Sequence, residues 1–256
     1  MITLRNTKNR AGVCISGDYN DLNALVNAFY EITIDEFSEK YTSYIDISTR
    51  VLGLCYDVRH AMQGDRDVEL VNNGMTEDLM KFHSVIAPKK NVYYQCNYLY
   101  PEMFFVMIAL NELIKLRART LAKSRYGYND LLNRRVIWDE TIAVLRTFQA
   151  KFQKCVRELL TEASFARWLK VMNNDYIGIE EIAGQYIDFL NIEYINMSKE
   201  KREKNLTKMA RRIAEFRTDK DYLEIKEVVE EAALEYGCPK ESIRLAGIEY
   251  PDTIDW

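Results

Sequence analysis

The segment NVYYQCNYLYPEMFFVMIAL, residues 91–110, changes its hydrophobic period half-way along. Up to Tyr100 it is rich in tyrosine and alternates. Tyr94, Cys96 and Tyr98 fall on one side and Tyr93, Gln95, Asn97 and Leu99 on the other, the pattern of a β-strand. Pro101 ends the alternation. Proline suits the first position of a helix, where its missing N–H has no acceptor to lose, and Glu102 then stands at the favourable end of the helix dipole. Met103 to Leu110 is apolar on nearly every face for two turns, so the helix it opens, reaching to about Arg125, belongs in the middle of a core. A strand that runs straight into a central helix decides the class: α+β, with a small sheet covered by helices.

Ile2–Arg5 and Gly12–Ser16 are short, apolar and partly β-branched, and the turn-forming NTKNRA lies between them. They predict a β-hairpin that joins the 91–100 strand in an antiparallel sheet. SGDYND, residues 16–21, follows. Asp18 is placed to cap a helix whose stripe is Leu22, Leu25, Val26 and Phe29, with Asp21 in its first turn. The same residues resemble the start of a calcium loop. An EF-hand loop needs Gly at its sixth position and Glu at its twelfth, and these positions are Asn23 and Phe29, so the calcium reading fails.

Further helices are predicted over 37–63, from Thr76 to about Val85, from Asn129 or Asp130 to about Leu160, over 164–172, 179–196 and 199–217, and from Asp219 to Gly237, with Pro239 as a stop. GDRD (64–67) and NNG (72–74) read as turns. The architecture expected is predominantly α-helical, a small antiparallel sheet packed on a multi-helix bundle. A composition shift near residue 198 suggests a mixed α+β core domain over 1–198 and a C-terminal helical hairpin with tail over 199–256. In that hairpin a basic helix pairs with an acidic one. A single domain fits equally well, since no linker marks the boundary.

The 256 residues are 48% hydrophobic and 29% charged, and this length buries enough surface to fold without metal or disulfide. The net charge of −4 gives no general drive toward nucleic acid or an anionic membrane. Five scattered cysteines without a CxxC pair fit free thiols in a reducing compartment, and two histidines are too few for a poly-histidine zinc site. With no signal-like N-terminus and no apolar run near bilayer length, a cytoplasmic location without membrane association is expected. No metal site and no cofactor is expected, because the glycine-rich phosphate loops, GxSxG and HExxH are all missing.

Three groups of residues could carry function. Tyr93, Tyr94, Asn97, Tyr98 and Glu102 could line a pocket or a partner surface; the blander reading is a half-buried strand whose tyrosines fill the core. Asp57 and His60, one helical turn apart, could form a base or a single-metal site; the blander reading is a surface pair on a helix. Arg117, Arg119, Arg134 and Arg135, with Lys204, Lys208, Arg211 and Arg212, could contact phosphates; the blander reading is solvated helix faces balanced by neighbouring glutamates. No catalytic residue is assigned.

The opening pattern (Asn6-Thr7, Gly12-Val13, Ile15-Ser16-Gly17-Asp18-Tyr19, Asp21-Leu22), with Tyr100-Pro101-Glu102 later, looks similar to a family of uncharacterised bacterial proteins, mainly over the first third of the chain. The resemblance implies a bacterial, cytosolic setting and no particular chemistry. The leading expectation is a non-enzymatic interaction or regulatory module with a protein partner, docking through the 199–217 helix or the tyrosine strand at a sheet edge. The alternatives are nucleic-acid binding through the basic helices and an enzyme with a tyrosine-lined pocket near Tyr94.

Overall fold

The computed structural model describes residues 1–35, 37–123, 133–173, 179 and 184–256. The caps expected at Asn129 or Asp130, the basic Arg125 and the start of the helix expected at 179–196 (residues 180–183) lie outside the described residues.

Four antiparallel strands form one sheet in the order β1 (Thr3–Asn6), β2 (Gly12–Gly17), β4 (Lys90–Leu99), β3 (Asp67–Asn72). The hairpin and the tyrosine strand are where the periodicity puts them. β3 is an addition: DVELVN, between the two turns, pairs with the first half of β4. β4 therefore lies between β2 and β3 in strand order, with both beside it at Tyr94 and Gln95, β3 alone beside Lys90–Tyr93 and β2 alone beside Cys96–Leu99. Cross-strand neighbours share a face, so Leu4, Ile15 and Cys96 form one inward row and Val13 and Tyr98 another.

Ten α-helices lie among the described residues. α1 (Tyr19–Ile32) starts at Asp18, whose carboxylate accepts from Asp21 N at 2.9 Å while Asp21 Oδ2 accepts from Asp18 N at 3.2 Å. The reciprocal pair satisfies two N–H groups that the first turn leaves without partners, so SGDYND is a strand-to-helix joint. Replacing the cap, Asp18→Ala, is expected to cost about 1 kcal/mol, read as a lower urea midpoint at unchanged m-value.

α2 (Ile45–Met62) is shorter than the 37–63 pattern and lies across β4. α3 (Glu77–His83) is brief. α4 (Tyr100–Ala122) begins directly after β4 and is buried on all sides over its first three turns. Tyr100, Phe104, Phe152 and Trp168 stack around it, with ring centroids between 5.6 and 6.3 Å apart in successive pairs. The long helix expected from 129 or 130 is divided: α5 (Arg134–Ile137) is a single turn, and α6 (Glu140–Leu159) restarts on its own cap, Asp139. α7 (Glu162–Met172) and α8 (Gln185–Ile195) follow.

α9 (Lys199–Ala214) and α10 (Lys220–Tyr236) do not form the expected side-by-side hairpin. A 3-10 turn at Phe216–Thr218 redirects the chain, and α10 leans on α8 and on the turn at Lys240–Ser242. α9 packs on α4 and α7, with Leu206, Met209 and Ile213 in the common core. Gly237, at φ +61°, closes α10 in the left-handed conformation that glycine allows.

Candidate functional site

Glu102 is buried, and its position in an all-apolar stretch of α4 requires a cation. Arg50 supplies it. Ile47, Val51 and Leu54 form the buried stripe of α2, and Arg50 shares that stripe. Its guanidinium bridges both Glu102 oxygens, Nε to Oε1 at 2.6 Å and Nη2 to Oε2 at 2.5 Å. Nη2 also donates to Asp188 at 2.8 Å and Nη1 to the Gly184 carbonyl at 3.2 Å. Asn191 Nδ2 donates to Glu102 and to the Tyr250 hydroxyl, each at 2.8 Å. Burial opposes the charge on Arg50, but Glu102 and Asp188 outweigh it and hold the guanidinium protonated beyond its ordinary range. One cluster thus ties α2, α4, α8 and the C-terminal tail together.

Above it opens a cleft of about 680 Å³ with apolar walls from Tyr186, Tyr222, Ile225 and Val229. Arg50, Lys226, Lys240 and Arg244 line it, with Asp46 and Glu230. Counting Glu102 and Asp188 beneath Arg50, four cations meet four anions. Among the described residues the charges in and directly beneath the cleft therefore balance.

The tyrosines stand elsewhere. Tyr94 and Tyr98 turn inward against the helices, and neither lines the cleft. Burial, with the Glu102 and Asp57 carboxylates adding to it, raises the Tyr98 hydroxyl well above the ordinary phenol range. Tyr93 and Asn97 share the polar outer face with Arg5, Glu69 and Gln95, where Arg5 bonds Glu69 at 2.8 Å. Asp57 and His60 do not pair. The turn after α2 brings Asp65 to His60 Nδ1 at 2.9 Å and Arg66 to Asp57 at 3.0 Å. His60 packs its ring on Tyr56, 4.1 Å between centroids, away from Glu102's partners. Among the described residues no group of three or more His, Cys, Asp or Glu is arranged to hold a metal ion, and the five cysteines are free.

The basic residues divide by role. Arg117 grips both Asp139 oxygens, at 3.0 and 2.9 Å, and holds the α6 cap against α4. Arg212 bonds Asp219 at 2.8 Å and reaches Glu193 and Asp221, fixing the corner between α9 and α10. Arg119, Arg134, Arg135, Lys204, Lys208 and Arg211 are exposed. Arg202, in the same basic run, is buried on the α9 stripe. Its guanidinium donates to the carbonyls of Asn9, Tyr194, Ile195 and Asp255. Two of these end α8, where the helix dipole favours a cation.

The least expected feature is an arm. β2 stops at Gly17, opposite Tyr94, but β4 and β3 run on past it. Every residue from Gln63 to Leu70 is exposed. Polar contacts hold the arm in shape: Asn72 and Asn73 accept from Gly74 N and Met75 N at 2.9 and 3.0 Å, and Asn73 Nδ2 donates to the Pro88 carbonyl at 2.9 Å. Thr76 caps α3 through Leu79 N, and Lys89 bonds Glu77. Its apolar side chains are left in solvent. Val68 (51% exposed), Leu70 (58%) and Val92 continue the inward face of the sheet beyond the helices, and Phe82 (81%) and Ile86 (fully exposed) crown α3. The sequence does signal this element: DVELVN alternates, but its apolar positions look like core and nothing local says that no helix covers them.

Among the described residues no helix is long and apolar enough to cross a membrane. Comparison with curated proteins and with solved structures gives no match. A family model described as a domain of unknown function (DUF6904) matches residues 2–256. The match is consistent with the expected resemblance to an uncharacterised family, and it covers nearly the whole chain.

Proposed function

Since the chain belongs to the DUF6904 family, whose description assigns no activity, its role has to be argued from its own surface, and we propose that it is a protein-interaction module whose docking element is the arm from Asp67 to Val92. The observation that carries this reading is the set of exposed apolar side chains on that ordered arm, Val68, Leu70, Phe82, Ile86 and Val92. A grouped apolar surface on an ordered element marks a site of association. The tyrosine strand and α9, the surfaces favoured from sequence, support it less: the first lies between β2 and β3 in the sheet and the second has its apolar stripe in the core. The two clamped arginines, Arg117 and Arg212, weaken the nucleic-acid reading.

Quantitative affinity capture from the native cell tests the proposal. Proteins that co-purify with the wild-type chain are expected to be lost with Phe82→Asp/Ile86→Asp. They should be retained with Lys204→Ala/Lys208→Ala on the opposite class of surface. Capture unchanged by the arm substitutions would remove the proposal.

A further inference from the structure

The two outermost strands of the sheet differ. β1 is closed by α6: Asn6 Nδ2 donates to the Cys155 carbonyl at 3.1 Å and to Glu158 at 3.0 Å. Among the described residues β3 has a strand on one side only. Edge strands are ordinarily protected by charge, proline or a bulge. β3 has no proline, and its carboxylates Asp67 and Glu69 lie on the polar face, Glu69 already bound to Arg5 and Gln95. Its other face presents Val68 and Leu70 beside an open row of backbone donors and acceptors. We infer that β3 pairs with β3 of a second copy of this chain, antiparallel about a two-fold axis at Leu70, joining two four-stranded sheets into one.

The strand's side chains are compatible with a second copy of themselves, and they select the register. A two-fold axis normal to the sheet keeps like faces together, so only residues of the same parity can stand opposite each other. An axis at Glu69 would set two carboxylates face to face, and an axis at Val68 would oppose Asp67 to Glu69; both are repulsive. An axis at Leu70 sets Leu70 against the partner's Leu70, Val68 against the partner's Asn72 and Glu69 against the partner's Val71. It is the longest overlap that sets no like charges directly opposite each other. The antiparallel course also carries each α3 toward the base of the partner's strand. Phe82 and Ile86 then enlarge a contact that a lone strand pair would leave short of the roughly 1,200 Å² of a stable interface.

Sedimentation velocity on the full chain is expected to show a dimer. Leu70→Lys, which places two ammonium groups at the axis, is expected to weaken it about a hundredfold or more with unchanged far-ultraviolet circular dichroism. The register is tested by mixing Val68→Cys with Asn72→Cys under mild oxidation. A disulfide between the two introduced thiols, identified by mass spectrometry, supports it. A monomer at all concentrations, a dimer indifferent to Leu70→Lys, or a dimer that never forms this cross-link overturns the inference. The inference rests on the arm being a docking element, and the two fail separately. A monomer whose captured proteins still depend on Phe82 and Ile86 loses the self-pairing alone, whereas capture indifferent to those side chains removes the broader reading.

Discussion

Arg50→Met is expected to destabilise the protein by about 4 kcal/mol, more than Glu102→Gln does, although the two residues form one ion pair. The asymmetry follows from the third member. Removing the guanidinium leaves Glu102 and Asp188 facing each other with their cation gone, and the Gly184 carbonyl loses a donor. Glu102→Gln leaves Arg50 its bond to Asp188 and leaves Asn191 a carbonyl oxygen to donate to. The loss there is expected near 2 kcal/mol, in the range for a charge-assisted bond reduced to a neutral one. Urea midpoints at constant m-value measure both. Equal losses, or a larger loss for Glu102→Gln, would show that Asp188 does not share the cation. The cluster joins α8 and the tail to the helices over the sheet, so the Arg50 variant should also free the tail, read as faster amide exchange around Tyr250.

This cluster also marks where sequence reasoning reaches its limit. Glu102 is visible as a carboxylate in a run that is otherwise apolar, and a first-turn position gives it a local role with the helix dipole. The sharper inference was available: two turns without another polar side chain cannot leave an acid unpaired. Arg50 gives the matching signal, a charge at a stripe position between Ile47 and Leu54. What no periodicity supplies is the pairing. Arg50 and Glu102 are 52 residues apart, and Asn191 is 89 residues beyond Glu102. Arg202 repeats the lesson, since it lies in a basic run and yet at a core position, four residues before Leu206.

Local signals are legible in the sequence: the Asp18 cap, the switch from strand to helix at Tyr100, and the stop at Gly237 all involve contacts within a few residues. β3 fails the same test from the other side. GDRD and NNG are true turn formers, but a six-residue strand fits between them, and only β4, reached after α3, reveals it. β3 matters for function, because it covers one side of Tyr93 and Tyr94 and puts Val68 and Leu70 on the outer strand.

The second large effect is expected at Gly12, and it separates two reasons for keeping a glycine. Gly12→Ala would put a methyl carbon 1.9 Å from the Tyr98 carbonyl oxygen, 2.7 Å from its carbon and 2.9 Å from Leu99 Cα, all backbone of the neighbouring strand. No side chain can swing away to make room. The strands β2 and β4 must part where the sheet delivers Tyr100 to the central helix, and where Tyr100 N donates to the Ala11 carbonyl at 3.1 Å. A cost above about 3 kcal/mol is expected, at the upper end for overpacking because the obstruction is main chain. Gly53→Ala, in the exposed interior of α2, is expected to act in the opposite direction. Its added carbon would meet the Tyr98 hydroxyl at 3.7 Å, an ordinary contact, and alanine improves on glycine by up to about 1 kcal/mol within a helix. The two substitutions add the same methyl group against the same tyrosine, one at its main chain and one at its side chain. Opposite shifts in thermal midpoint are the expected result, and a destabilisation by both would mean that α2 sits closer on β4 than the 3.7 Å separation allows.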